Sequence, residues 1–211
     1  MNGLFITFEG IEGCGKTTQA NYLYKHLLNN GADVLLTREP GGTDLGVNIR
    51  RLILDSSSIY PITELFLFLA DRNQHVNEII KPVLQRGAIV ICDRYYHSTY
   101  AYQASGRNAG IDVVKKINDI SIEGLKPDIT FLIDIPVEIG FSRKKALNLG
   151  LDRIEREDFD FHNNIRNAYL KIAKDEKMII VVDGMKKRNE IKDIILNHLL
   201  EKFKERINIK D

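Results

Sequence analysis

Residues 10–17 read Gly10-Ile11-Glu12-Gly13-Cys14-Gly15-Lys16-Thr17, and every fixed position of the pattern G-x-x-x-x-G-K-[ST] is filled. Glycines at this spacing let successive backbone N–H groups turn inward around an anion. Lys16 adds a point charge for the β and γ phosphates of a triphosphate, and Thr17 offers a hydroxyl to Mg²⁺. A helix starting here brings its positive end to the same place. The candidate ATP-binding segment is therefore Gly10, Ile11, Glu12, Gly13, Cys14, Gly15, Lys16, Thr17 and Thr18, with Lys16 catalytic. The bland alternative is an ordinary glycine-rich turn. Asp93 ends a continuous apolar run, residues 88–92. A carboxylate at a strand end suits Mg²⁺, partly through water, or the orientation of the adjacent Arg94.

These groups need a strand before the loop, a helix after it and a second strand beside the first. Residues 4–8, 34–37, 88–92, 129–133 and 178–182 are short apolar, β-prone runs. Helical patterns cover 16–29, 46–54, 63–86, 111–125, 136–147, 159–174 and 187–207, with Pro82 expected to kink or break the third. Regular alternation predicts an α/β fold, a five-stranded, mainly parallel sheet flanked by helices. No linker or repeat divides the 211 residues, so one domain is expected, with a polar, charged stretch over 148–158.

Charge excludes some partners. Lys plus Arg number 30 and Asp plus Glu 29, for a net charge of +1. No nucleic-acid or anionic-membrane surface is suggested. Two cysteines, no signal-peptide pattern and no long apolar stretch predict a reduced, soluble, cytoplasmic protein. Cys14 beside Lys16 sits where a thiol pKa can be lowered, although any small residue serves there. Cys92 reads as packing. The histidines, His26, His75, His97, His162 and His198, lack metal-ligand spacing, and His97 is expected at the surface or behind the site. The basic end, residues 202–206, reads as a solvated helix end.

No N-K-x-D guanine-reading motif is present, and the chain is short for a motor. A small kinase with a second, acceptor site remains, beside a P-loop ATPase switch as the rival class. Phe68 and Arg72, four apart, share a helix face. Pattern alone favours a core phenylalanine and a solvated arginine there.

The runs Phe8-Glu9-Gly10-Ile11-Glu12-Gly13, Thr37-Arg38-Glu39-Pro40-Gly41-Gly42-Thr43, Phe68-Leu69-Ala70-Asp71-Arg72, Asp93-Arg94-Tyr95, Ser98-Thr99-Tyr100-Ala101-Tyr102-Gln103 and Leu151-Asp152-Arg153-Ile154-Glu155 resemble bacterial thymidylate kinases in order and spacing. The resemblance covers nearly the whole chain. It implies the P-loop nucleoside monophosphate kinase fold, Mg²⁺-dependent transfer from ATP to dTMP, and a homodimer. It implies that Phe68 stacks on thymine and Arg72 bonds its O4 edge. Arg94 would grip the acceptor phosphate with Arg38 and Arg50, which Glu39 would orient. Glu12 would lie near the sugar 3′-hydroxyl and Tyr102 where a 2′-hydroxyl would be. Ser98, Thr99 and Gln103 would complete the base contacts. Because the phosphate loop contains no arginine, the resemblance assigns the transition-state arginine to the lid, with Arg153 as the candidate and Arg143 the alternative. A kinase for another monophosphate stays the nearer rival. Two departures stand out: Ala104-Ser105-Gly106-Arg107-Asn108 where the family commonly has Gly-x-Gly-Arg-Gly, and Asn148 where an arginine is often found.

Overall fold

The computed structural model describes residues 3–107, 109–146, 150 and 152–207, so Asn108, Asn148 and Leu151 lie outside the described residues. The apolar runs become strands β1 (Leu4–Glu9), β2 (Val34–Arg38), β3 (Ile89–Asp93), β4 (Ile129–Asp134) and β5 (Ile179–Asp183). They form one sheet in the order β2-β3-β1-β4-β5, and every pairing is parallel. β1 and β3 are buried along their whole length, whereas β2 and β5 are partly exposed, as edge strands should be. Alternate residues of β1 serve opposite faces. Leu4, Ile6 and Phe8 join one core cluster, and Phe5 joins the other.

Helices cover both faces: α1 (Lys16–Asn29), α2 (Asp44–Asp55), α3 (Pro61–His75), α4 (Lys81–Gln85), α5 (Tyr96–Thr99), α6 (Ile111–Ile122), α7 (Val137–Ala146), α8 (Phe159–Asp175) and α9 (Arg188–Ile207). Pro82 does not end the long helical run. A widened π-type turn, Val76–Ile80, joins α3 to α4, and the Lys81 N–H reaches back to the Val76 carbonyl. This shifts the ladder one residue before the proline, which then sits in the first turn of α4, where a missing N–H costs little.

A helical segment that the apolar pattern does not reveal runs through α5 and a second π-type stretch, Tyr100–Gly106. Its residues 99–104 are buried on every side, so they carry no amphipathic period. The basic end of the chain is not simply solvated. Arg206 pairs with Asp128 and donates to the Gly3 carbonyl, and Asp128 in turn accepts from the Phe5 N–H at 2.8 Å. No helix among the described residues is long and apolar enough to cross a membrane.

The β1–β3 register pairs Phe8 with Asp93, so both strands end at one level. Gly10 and Arg94 therefore emerge side by side, and the Arg94 N–H bonds the Phe8 carbonyl at 2.9 Å. The turn after β2 leads into α2, whose N-cap Thr43 accepts from the Gly46 N–H at 2.9 Å. Thr43→Ala is expected to cost about 1 kcal/mol and to lower Tm by roughly 2–4 °C, with Thr43→Ser restoring most of the loss in scanning calorimetry.

Candidate active site

The phosphate loop turns through positive φ at Gly13 (71°) and Gly15 (98°), a region where a side chain is strained. Lys16 opens α1 and ties the loop together, its Nζ donating to the Ile11 carbonyl at 3.1 Å. Gly13 also lies backbone to backbone against Gly140 of α7. A Cβ on Gly13 would overlap the Gly140 carbonyl, and one on Gly140 would overlap the Glu12 carbonyl. Cys14 is buried. Burial raises its thiol pKa despite the pull of Lys16. This direction corrects the lowered pKa its position suggested. Thr17 Oγ1 donates to Asp93 Oδ2 at 2.5 Å, and Asp93 Oδ1 is buried without a hydrogen-bond partner among the described residues.

Arg94 holds a left-handed backbone, φ 72°, at the end of β3. For a non-glycine residue this costs of order 1–2 kcal/mol, and the side chain is correspondingly well held. Its Nη2 donates to Glu12 Oε1 at 2.8 Å and Tyr102 OH at 3.1 Å; its Nη1 reaches Gly10 O, Ser98 Oγ and Tyr169 OH. Ser98 and Tyr169 each donate to Glu9 Oε2, at 2.6 and 2.9 Å. Their hydrogens point away from Arg94 and their lone pairs toward it. Tyr102 donates to Glu12 Oε1 at 2.5 Å. Burial pushes the Glu12 carboxyl up, but Arg94 and Lys16 hold it below its ordinary value. Arg38 and half-buried Arg50 face the same space as Arg94, and burial together with these two cations lowers the Arg50 pKa. Arg94 is paired with Glu12, but no ion pair of Arg38 or Arg50 is seen among the described residues, so the group could hold an anion.

Phe68 lines the same space and packs against the core. Arg72 is 1% exposed, so the solvated reading of it fails. Its Nε donates to Glu39 Oε2 at 2.8 Å, its Nη1 to Thr99 Oγ1 and Asn118 Oδ1, each at 2.7 Å, and its Nη2 to Tyr95 O at 3.2 Å. Of the five N–H groups of an arginine, one on Nη2 is left among the described residues. Glu39 thus holds Arg72, and through its other oxygen His75, and not the phosphate-facing arginines as the resemblance implied. Thr99 acts through Arg72 and Ser98 through Arg94. Gln103 lines the space and donates from Nε2 to Glu64 at 3.0 Å.

The phosphate loop and the side chains of Arg94, Tyr102, Ser98 and Thr99 border one cavity of roughly 720 Å³. Lys16, Thr17, Thr18, Arg143 and Arg188 line it together with Arg38, Arg50, Phe68, Arg72 and Gln103. Arg153 is not brought there. Its Nε donates to Ile53 O at 2.9 Å and its Nη2 pairs with Glu64. Arg143 instead lies over the loop, donating to Gly13 O at 3.5 Å and Gly184 O at 3.0 Å. His97 is fully buried, bonded to Glu176, and not at the surface. Glu9, Glu64, Asn118, Gly140 and Tyr169 were not visible as site residues. Single polar residues inside apolar runs or helices carry no local pattern, and only their distant partners reveal them.

The thymidylate kinase family model matches residues 8–195. The chain is 46% identical over 209 residues to a thymidylate kinase of Trichormus variabilis, covering 95% of this chain and 99% of that one. It is 49% identical over 195 residues to one of Halothermothrix orenii, covering 90% and 93%. The crystal structure of thymidylate kinase from Ehrlichia chaffeensis superposes with a TM-score of 0.78 at 34% identity, covering 94% of this chain and 99% of that one.

The Gly13–Gly140 contact carries a prediction. In Gly140→Ala the added methyl pushes on the Glu12 carbonyl, and such overpacking typically costs 1–3 kcal/mol. Affinity for ATP, measured by calorimetry, should fall by about tenfold or more while the melting temperature falls only modestly.

Proposed function

The chain belongs to the thymidylate kinase family, and from that premise we propose how its residues divide the reaction. The protein phosphorylates dTMP to dTDP, a step of nucleotide biosynthesis. The observation that carries the assignment is one cavity lined both by a phosphate loop and by a second group of cations, Arg38, Arg50 and Arg94. Two phosphate sites facing each other suit direct transfer between two bound nucleotides.

In this reading residues 1–211 form one kinase domain, with the lid over about 143–158. ATP is the donor, its triphosphate in the loop formed by residues 10–18. Thr17 and Asp93 would hold Mg²⁺. The buried, unpartnered Asp93 Oδ1 beside the Thr17 hydroxyl fits a hard cation that takes its remaining ligands from water and phosphate. When bound, the ion supplies positive charge to the phosphate oxygens. Among the described residues no cluster of three His, Cys, Asp or Glu side chains could hold a metal without such added ligands.

Lys16 neutralises charge on the transferred group, and Arg94 aims the acceptor phosphate. That phosphate oxygen is already anionic, so no general base is needed. Phe68 stacks on thymine, Arg72 meets its O4 and Gln103 completes the base contacts. Glu12 and Tyr102, bonded to each other, stand at the sugar. The protein acts as a homodimer in the cytoplasm. Neighbouring helices α2, α3 and α6 expose Leu52, Phe66 and Ile120, an apolar face a second copy would cover. Cys14 and Cys92 are both unpaired, as a reducing compartment requires.

A coupled ADP-release assay tests the reading, with ATP and each of dTMP, dUMP, dCMP, dGMP and AMP. dTMP should be used best, and dUMP about tenfold less well, since a missing methyl in an apolar pocket is worth roughly 1–3 kcal/mol. Slow ADP release indifferent to the monophosphate would instead favour an ATPase switch.

The two lid-side arginines should separate. Arg153, assigned to the transition state, has to leave Glu64 as the lid closes, whereas Arg143 already lies on the loop. Arg153→Ala is expected to lower kcat by about 10³ with dTMP binding unchanged in calorimetry. Arg143→Ala should chiefly raise KM for ATP.

A further inference from the structure

We propose that Glu64 is a positioning residue for base selection: its buried carboxylate holds the Gln103 amide in one orientation and so selects a keto pyrimidine over an amino pyrimidine. This rests on the reading above that Arg72 and Gln103 meet the acceptor base.

Glu64 stands one helical turn before Phe68 on α3 and is 1% exposed. Its Oε1 accepts from Gln103 Nε2 at 3.0 Å and from Arg107 Nε at 3.2 Å. Its Oε2 accepts from Arg107 Nη2 at 3.4 Å and pairs with Arg153. Burial alone would raise its pKa, but these partners hold the carboxyl below its ordinary value. It is therefore ionised, and an ionised carboxylate only accepts. The Gln103 NH₂ must face it, because turning the amide would set oxygen against oxygen in a buried place. The amide oxygen is then what Gln103 offers to a ligand. No donor to that oxygen exists among the described residues.

Arg72 complements it. Its one uncommitted N–H belongs to a guanidinium fixed on four sides. The cavity thus presents a donor from Arg72 and an acceptor from Gln103, which lies four residues after Thr99, the Arg72 partner. Thymine offers the reverse pair, O4 as acceptor beside N3–H as donor. Cytosine offers N4–H₂ beside an N3 acceptor, a mismatch at both positions. A glutamine that could turn over would relieve one of them. Glu64 forbids that turn without touching the base. Release of Arg153 on lid closure would leave Arg107 on the carboxylate, so the hold on Gln103 survives the motion.

The test compares kcat/KM for dTMP and dCMP in the full-length enzyme and in Glu64→Gln and Gln103→Leu. An amide at position 64 both donates and accepts, so Gln103 can then turn. The dTMP/dCMP ratio should fall about tenfold in Glu64→Gln, the scale of one buried unmet hydrogen bond, and also in Gln103→Leu. A structural defect would depress both substrates alike and leave the ratio where it was. A ratio lowered only in Gln103→Leu overturns the role of Glu64 and keeps the base-site reading. A ratio unchanged in both overturns the base-site reading itself.

Amide exchange in the unaltered enzyme decides the matter independently of how Glu64→Gln folds. With glutamine side chains labelled with ¹⁵N, the Gln103 amide protons, identified by their loss in Gln103→Leu, should exchange more slowly than those of exposed Gln85, at least about tenfold, before dTMP is added. Exchange as fast as that of Gln85 overturns the proposal.

Discussion

The ion pair between Glu12 and Arg94, 2.8 Å apart, joins the two halves of the site. Glu12 belongs to the phosphate loop after β1, and Arg94 to the turn after β3. Each would be costly alone in so buried a place, because an unpaired charge away from water loses its hydration. Paired, they fix the distance between the phosphate loop and the Arg94 guanidinium. Glu9 sets the hydroxyls of Ser98 and Tyr169 so that they accept from Arg94. An arginine side chain with four rotatable bonds is thereby held in one position.

The same arrangement recurs along the cavity wall. Glu39 holds Arg72 and Glu64 holds Arg107 and Arg153, each from within the protein. Phosphate chemistry needs cations facing the ligand, and cations in a half-buried cleft need anions behind them. Among the described residues Arg38 and Arg50 form no ion pair with a carboxylate, although Asp152 and Asp93 partly offset the charge of Arg50. Their mutual repulsion is what a bound phosphate would relieve on the proposed reading.

The sheet makes this geometry available. Because β1 lies between β3 and β4, and all strands run the same way, the loops after β1, β3 and β4 open on one edge. Ligands of open α/β sheets bind at that edge, where neighbouring loops diverge. The backbone approach of Gly13 to Gly140 brings α7, at the base of the lid, into contact with the loop it would close over.

The sequence by itself determined the phosphate loop, the strand that precedes it, the helix that follows and the alternation that makes the sheet parallel. These depend on neighbours within a few residues, through periodic burial and glycine conformation. It did not disclose the helix through residues 96–106, whose all-round burial erases the period, nor that a widened turn between α3 and α4 lets the helical run pass Pro82 unbroken. Tertiary structure alone decided that Arg72 is buried and that Glu39 serves it, that Cys14 is buried with its thiol pKa raised, and that Arg153 rests on Glu64 and not in the cavity. Glu12 and Arg94 stand 82 residues apart in the chain, and Glu64 and Arg153 stand 89 apart. A lone charge in a sequence looks the same whether it is solvated or paired. Only the fold shows which carboxylate reaches it, because that partner is chosen by strand order and register and not by any local pattern.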